Sequence, residues 1–247
     1  MDPAHVVFLG TGDAFSADGR YHASYLARAP GSTVLLDCGS HTLTALKHHR
    51  IDASGVDVVV LSHFHGDHFS GLPYLLLEYI YEQPRHRPLR IAGPPGTEER
   101  VRSLLHATYK ELFTTPLPFA LEFTEMLPDV SVNFNAVDIE PFLVPHQENE
   151  ISFGMRVGLA GRVILYSGDS GWTEELVVRS RNTNLFICEC SYFETRKPFH
   201  LDYPRLAENR GRFQTDRMIL THLGREVFAR RNEVEIEMAS DGMVVEV

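Results

Sequence analysis

Apolar residues along this 247-residue chain gather into short runs, at positions 6–9, 33–36, 58–61, 89–92, 162–166, 185–188 and 218–220. Runs of three to five residues with almost no polar interruption predict strands covered on both faces, because a strand with one wet face would alternate. Between them lie segments of helical character. Residues 41–49 read as a helix, and Gly71-Leu72-Pro73 opens another that continues through Leu75-Leu76-Leu77-Glu78-Tyr79-Ile80, with Pro73 suited to a first turn. Val101, Leu104, Leu105, Thr108 and Leu112 recur at a 3.6-residue period and form one stripe. From about 116 to 160 the pattern is mostly short strands. Val234, Ile236 and Met238 then alternate with Glu233, Glu235 and Glu237, and Ser240-Asp241-Gly242 turns back into Met243-Val244-Val245, which predicts a terminal hairpin.

Strands interleaved with helices place the chain in the α/β class. No linker, low-complexity tract or shift of composition divides it, so residues 1–247 are expected to form a single domain. There is a faint internal echo. Val-Val-Leu-Ser-His ends at His63 and Met-Ile-Leu-Thr-His ends at His222, which suggests two similar halves facing one site.

Composition narrows the setting. Hydrophobic residues make up 43% and charged residues 23%, the balance of an ordinary soluble protein. No run approaches the roughly eighteen apolar residues of a membrane span, and the N-terminus lacks the basic and apolar regions of a secretory signal. Three cysteines (Cys38, Cys188 and Cys190) are too few for a disulfide framework and point to a reducing, cytoplasmic setting. Cys188 and Cys190 flank Glu189 on one face of a strand and read as small buried hydrophobes. A net charge of −10 argues against non-specific binding of nucleic acid.

The chemistry concentrates in Ser62-His63-Phe64-His65-Gly66-Asp67-His68, directly after the run at 58–61. Three imidazoles and a carboxylate at the end of a buried strand offer nitrogen and oxygen donors at a sheet edge, where they suit a borderline cation such as Zn²⁺. The spacing pairs His63 with His65 for one ion and Asp67 with His68 for a second. Three further donors follow other strands: His146 after 143–145, Asp169 after Ser167-Gly168, and His222 after 218–220. Together they supply one more imidazole per ion and a carboxylate able to bridge.

With these residues in view, the chain resembles the metallo-β-lactamase superfamily over nearly its whole length. In detail it is similar to the ribonuclease Z and phosphodiesterase-like branch. The matching stretches are Leu9-Gly10-Thr11-Gly12, Leu36-Asp37-Cys38-Gly39, Gly66-Asp67-His68 with Gly71-Leu72-Pro73, Gly93-Pro94-Pro95-Gly96, Ser167-Gly168-Asp169 and Ser240-Asp241-Gly242. The resemblance implies a four-layer αββα sandwich of two mixed β-sheets and a dinuclear site. It assigns His63, His65 and His146 to one divalent ion, Asp67, His68 and His222 to the other, and Asp169 to both. Zn²⁺ is the ion implied, although Mn²⁺ or Fe suits the same donors. Asp37 is either an orienting carboxylate or a turn residue at a strand end. The branch also carries a Glu on a late strand and a His soon after it, matched here by Glu189 and His200, for proton transfer to the leaving group. Asp67, Glu189 and His200 are thus the residues expected in the reaction, with a purely structural Glu–His pair as the alternative.

The implied activity is hydrolysis of a phosphodiester by a hydroxide bridging two ions. The chain departs from the tRNA-processing enzymes between His146 and Asp169, which are only 23 residues apart and leave no room for a tRNA-binding arm. A small or cyclic phosphodiester, such as a cyclic nucleotide, or a short oligonucleotide is therefore the expected substrate. The Arg-rich segment from Arg205 to Arg231 reads as a solvated face with acids interspersed. The competing readings are tRNA 3′ processing, hydrolysis of a thioester, lactone or lactam, and a non-catalytic metal-binding scaffold. A homodimer through the apolar segment 74–81 is a further expectation, with core burial as its alternative. His22 is held open as a neighbour of the site.

Overall fold

The computed structural model describes residues 4–113 and 116–247, without the side chains of Leu112 and Phe113. Val58–Val60 (β4) shows how its sequence builds the fold. Val58 and Val60 face one core cluster while Val59 and Leu61 face another, so both sides are covered and an unbroken apolar run is what the position requires.

In chain order the strands before β4 are His5–Gly10 (β1), Ser24–Ala29 (β2) and Ser32–Leu36 (β3). After it come Leu89–Gly93 (β5), Leu121–Glu125 (β6), Val132–Phe134 (β7), Val137–Leu143 (β8), Phe153–Leu159 (β9), Arg162–Tyr166 (β10), Thr183–Glu189 (β11), Thr215–Thr221 (β12) and Val244–Glu246 (β13). They form a seven-stranded sheet, β13-β1-β2-β3-β4-β5-β6, and a six-stranded sheet, β12-β11-β10-β9-β8-β7. Both are mixed. In the first sheet β1, β2 and β3 pair antiparallel and β3 to β6 parallel; in the second, β7 to β10 pair antiparallel and β10 to β12 parallel. The halves suggested by the His63 and His222 echo thus correspond to two sheets of like construction.

Three apolar clusters define four layers. Between the sheets pack Phe8, Tyr25, Val60, Met155, Ile187 and Ile219. Outside the first sheet lie Thr42–His48 (α1), Gly66–Phe69 (α2), Leu72–Leu77 (α3) and Thr97–Tyr109 (α4), with Leu46, Leu75 and Val101 against Leu35 and Val59. Outside the second lie Glu174–Arg179 (α5), Tyr203–Asn209 (α6) and Arg225–Ala229 (α7), with Leu176, Leu206 and Val227 against Phe186 and Leu220. Cys188 and Cys190 belong to this last cluster, and burial pushes both thiols up from their ordinary range. The architecture is the αββα sandwich. No helix among the described residues is long and apolar enough to cross a membrane.

Two details differ from the sequence pattern. The α4 stripe is buried at Val101 and Leu105 but only in part at Leu104, and Thr108 is exposed. The side chain of its last member, Leu112, lies outside the described residues. The C-terminal segment is not a hairpin. Leu220 N donates to Glu237 O and Ala239 N to Leu220 O, so residues 237–239 run beside β12, while β13 pairs with β1. The turn at 240–242 therefore crosses from one sheet to the other, with Gly242 at φ 83°. Each arm finds a longer strand to pair with than its neighbour in sequence would provide. Of the segment 74–81, Leu75, Leu76 and Tyr79 are buried in this chain's own core, which leaves Tyr74 and Tyr81 exposed at 43% and 62%.

Candidate metal centre

The site is built where strands from both sheets end. β4 runs into Ser62 and His63. An extended stretch then carries His65, and the first turn of α2 presents Asp67 and His68 together. β8 leads to His146, β10 through Ser167 and Gly168 to Asp169, β11 ends at Glu189, and β12 delivers His222. Gly168 has φ +57°, and a Cβ there would lie 2.4 Å from the Phe153 carbonyl oxygen, so this turn into Asp169 needs glycine.

The structure brings all seven expected donors together. One group comprises His63, His65 and His146; the other comprises Asp67, His68, Asp169 and His222; within each the donor atoms lie within 4.8 Å of one another. His146 Nε2 lies 2.9 Å from His65 Nδ1, and His222 Nε2 lies 3.2 Å from Asp67 Oδ2. Asp169 stands between the groups, with Oδ1 3.3 Å from His68 Nε2 and Oδ2 3.8 Å from His146 Nε2 and 3.4 Å from His222 Nε2.

The outward ring nitrogens are satisfied by the protein. His68 Nδ1 lies 2.7 Å from Asp37 Oδ2, His146 Nδ1 3.0 Å from the Phe199 carbonyl, and His222 Nδ1 3.0 Å from Ser191 Oγ. His63 Nδ1 is 3.0 Å from Ser62 Oγ. Three of the inward atoms are not. His63 Nε2, His68 Nε2 and Asp169 Oδ1 are buried without a hydrogen-bond partner. A buried polar atom left unpaired costs roughly 1–3 kcal/mol. Three in one cage, with the rings of His63 and His68 anchored through their other nitrogens, fit lone pairs held for a cation. The donor chemistry, imidazole and carboxylate, suits Zn²⁺ or a similar ion.

The electrostatics agree. Burial opposes charge on Asp169, yet His222 and His68 hold its carboxyl well below the usual range; burial opposes it on Asp67 too, where His68 and His222 have the same effect. Burial lowers His63, His65 and His146, keeping those rings neutral and able to donate a lone pair. Burial works against charge on His68 as well, but the surrounding Asp169, Asp67 and Asp37 carboxylates raise it.

The family is decided by the match along the chain. Residues 4–242 match the model of the family described as anti-Pycsar protein Apyc1. The chain belongs to the Apyc1 family. It shares 32% identity over 160 residues with a ribonuclease Z of Lachnoclostridium phytofermentans, covering 64% of this chain and 50% of that protein. A ribonuclease Z of Agathobacter rectalis is 28% identical over 269 residues, covering 88% and 86%. The crystal structure of human tRNase Z, short form, superposes with a TM-score of 0.80 at 25% identity, covering 98% and 99%. This Apyc1-family chain spans about half the length of the first two curated ribonuclease Z relatives it matches. The fold and branch are those of the ribonuclease Z and phosphodiesterase-like metallo-β-lactamase proteins.

Beside the cage of this Apyc1-family chain lies the Glu189–His200 pair. His200 Nδ1 is 3.1 Å from Glu189 Oε1, and Ser170 N donates to the same oxygen at 2.6 Å. Burial works against charge on His200, but the Glu189 carboxylate overrides it and the ring is pushed up to about 9. The His200 ring stacks at 5.9 Å and 7° on that of His222.

Sequence reasoning missed three residues here. Ser191 Oγ donates to Glu189 Oε2 at 2.7 Å and also reaches His222 Nδ1, tying the pair to the cage. Tyr166 Oη donates to Asp37 Oδ2 at 2.5 Å. Phe15 lines the cleft over the cage. For Tyr166 a signal existed: a hydroxyl at the end of a buried run, three positions before Asp169. Asp37, at φ 56°, accepts from His68, Ser62 and Tyr166 and so orients the site as well as ending β3. His22 is bonded to Ser40 Oγ at 2.8 Å and joins no donor group among the described residues.

Proposed function

We propose that the chain is a dinuclear metal-dependent phosphodiesterase acting on a small or cyclic phosphodiester, a cyclic nucleotide among them, or on a short oligonucleotide. The observation that carries this reading is the cage of inward-facing donors, three of them unpaired, with the Glu189–His200 pair beside it. His63, His65 and His146 would hold one ion, Asp67, His68 and His222 the other, and Asp169 both. When bound, two divalent ions supply an acidified water and positive charge matched to the phosphoryl oxygens.

The chain's own residues do the rest. Asp37, Ser62 and Ser191 hold the ring planes, so the donors are set before substrate arrives. Glu189 faces Nδ1 of His200 and favours the protonated ring, and His200 lines the cleft where a departing alkoxide needs a donor. Glu189 is in turn fixed by Ser170 N and Ser191 Oγ.

Two observations favour a small substrate over tRNA. The interval between His146 and Asp169 is occupied by β9 and β10. Much of the Arg-rich segment is also neutralised within the chain: Arg212 pairs with Glu174, Arg217 with Glu237, and Arg230 with Glu194 and Glu233. The relatives named ribonuclease Z favour the second reading, cleavage of precursor tRNA.

The test is hydrolysis of bis(p-nitrophenyl) phosphate by protein loaded with Zn²⁺ or Mn²⁺, beside His65→Ala. Turnover that disappears in the variant supports the proposal. Its absence with two ions bound per chain would overturn it. Cleavage of precursor tRNA but not of cyclic nucleotides would shift the reading to ribonuclease Z. We infer a homodimer through the exposed Tyr74 and Tyr81, to be checked by sedimentation of a Tyr74→Glu variant. We place the protein in the cytoplasm, a setting that suits its three free cysteines.

A further inference from the structure

Phe15 is 85% exposed, yet it does not sit on a featureless surface. It lines the cleft that holds His65, Asp67, Asp169 and His222, and also a separate cavity of about 710 Å³ bounded by Arg225, Phe228 and Arg231. The loop carrying it is fastened. Asp13 Oδ1 accepts from Phe15 N at 3.2 Å and from Ala17 N at 3.0 Å, and Ser16 N donates to Asp13 O at 2.9 Å. Ser16 and Asp18 are both in the left-handed region, at φ 51° and 57°. A backbone held this way against its preference keeps an apolar ring in water, and Phe15 makes no ring contact among the described residues.

The surroundings say what would cover that ring. A second phosphate would need unopposed positive charge, but Arg225 and Arg231 share the cavity lining with Asp13 and Asp18. An alkyl chain would need a continuous apolar lining, and the lining alternates. One open aromatic face, that of Phe15, beside a Phe228 ring largely buried under the Arg20 guanidinium and among groups of both charge signs, matches a planar heteroaromatic ring with polar edges. We propose that Phe15 is a specificity-determining residue: it is the face on which a planar ring of the substrate stacks, seating that ring in the cavity beside Phe228 while the phosphodiester lies at the cage. This rests on the phosphodiesterase reading and extends it to how the group attached to the phosphate is selected.

The test compares a 3′,5′-cyclic nucleotide with its abasic counterpart, which keeps the same cyclic phosphate. In Phe15→Ala the ratio of kcat/KM for the two is expected to fall roughly 5- to 150-fold, the range reported for removing an aromatic ring from beneath a stacked base. Phe15→Trp should restore it. A ratio equal to that of the native protein overturns the proposal. A second measurement does not depend on turnover. Binding of a 2-aminopurine ribonucleotide should quench its fluorescence through stacking in the native chain and Phe15→Trp, and less in Phe15→Ala. If the native protein hydrolyses neither substrate, bis(p-nitrophenyl) phosphate decides separately whether the phosphodiesterase reading fails, and the quenching alone decides the stacking face: loss in Phe15→Ala supports it, and equal quenching overturns it.

Discussion

His68 and Asp37 stand 31 positions apart in sequence and 2.7 Å apart in space, Nδ1 to Oδ2, with both side chains fully buried. This contact keeps His68 Nε2 turned into the cage, where no protein atom satisfies it. Asp37→Asn keeps the shape but removes the charge that holds the ring. Affinity for Zn²⁺ is expected to fall roughly 10- to 100-fold, read by competition with a chelator. Affinity equal to the native value would mean that Asp37 serves the fold alone.

Tyr166 supplies the last hydrogen bond to the same carboxylate. Burial and the neighbouring Asp37 raise its hydroxyl far above the usual range, so it acts as a donor at every accessible pH. Tyr166→Phe leaves Asp37 short of one partner and should cost about 1–3 kcal/mol in urea unfolding of the metal-free protein. A change below about 0.5 kcal/mol would count against this role.

The Glu189–His200 pair gives a pH signature. In metal-free protein the His200 ring should titrate at about 9, followed by its imidazole proton resonances. Glu189→Gln should move it back toward the ordinary 6.5. A folded value above the unfolded one means that stability from the pair is complete below about pH 6.5 and is lost as pH rises through about 9. Native and Glu189→Gln proteins should therefore differ most in stability at the acid end of that window and converge above it. A native ring that titrates near 6.5 would refute the coupling.

Substitutions at the site separate holding ions from moving protons. Asp169→Ala removes the residue common to both groups and should lower bound metal by elemental analysis from two ions toward none. His200→Ala should leave the metal content intact and reduce kcat roughly 10²- to 10⁴-fold. Loss of metal in His200→Ala would instead make His200 a ligand, consistent with its place within reach of His146 and Asp169.

Much of this was readable along the chain because it is local. An apolar run such as 58–61 reports burial on both faces of its own strand, and the donors from His63 to His68 lie close enough in sequence for spacing to carry meaning. The terminal segment misled because alternation reports which side of a strand is covered and not which strand it pairs with. By itself, then, the sequence determined most of the buried strands, the α/β class and the chemical types at the strand ends, while the two-sheet sandwich came from the family resemblance. Only the tertiary structure decided which nitrogen of each imidazole faces inward, that Asp37, Tyr166 and Ser191 hold those rings, and that Phe15 stands over the cleft. The reason is distance along the chain. His63 and His222 are brought together by two sheets packing through one shared core, and that registry depends on the whole set of contacts.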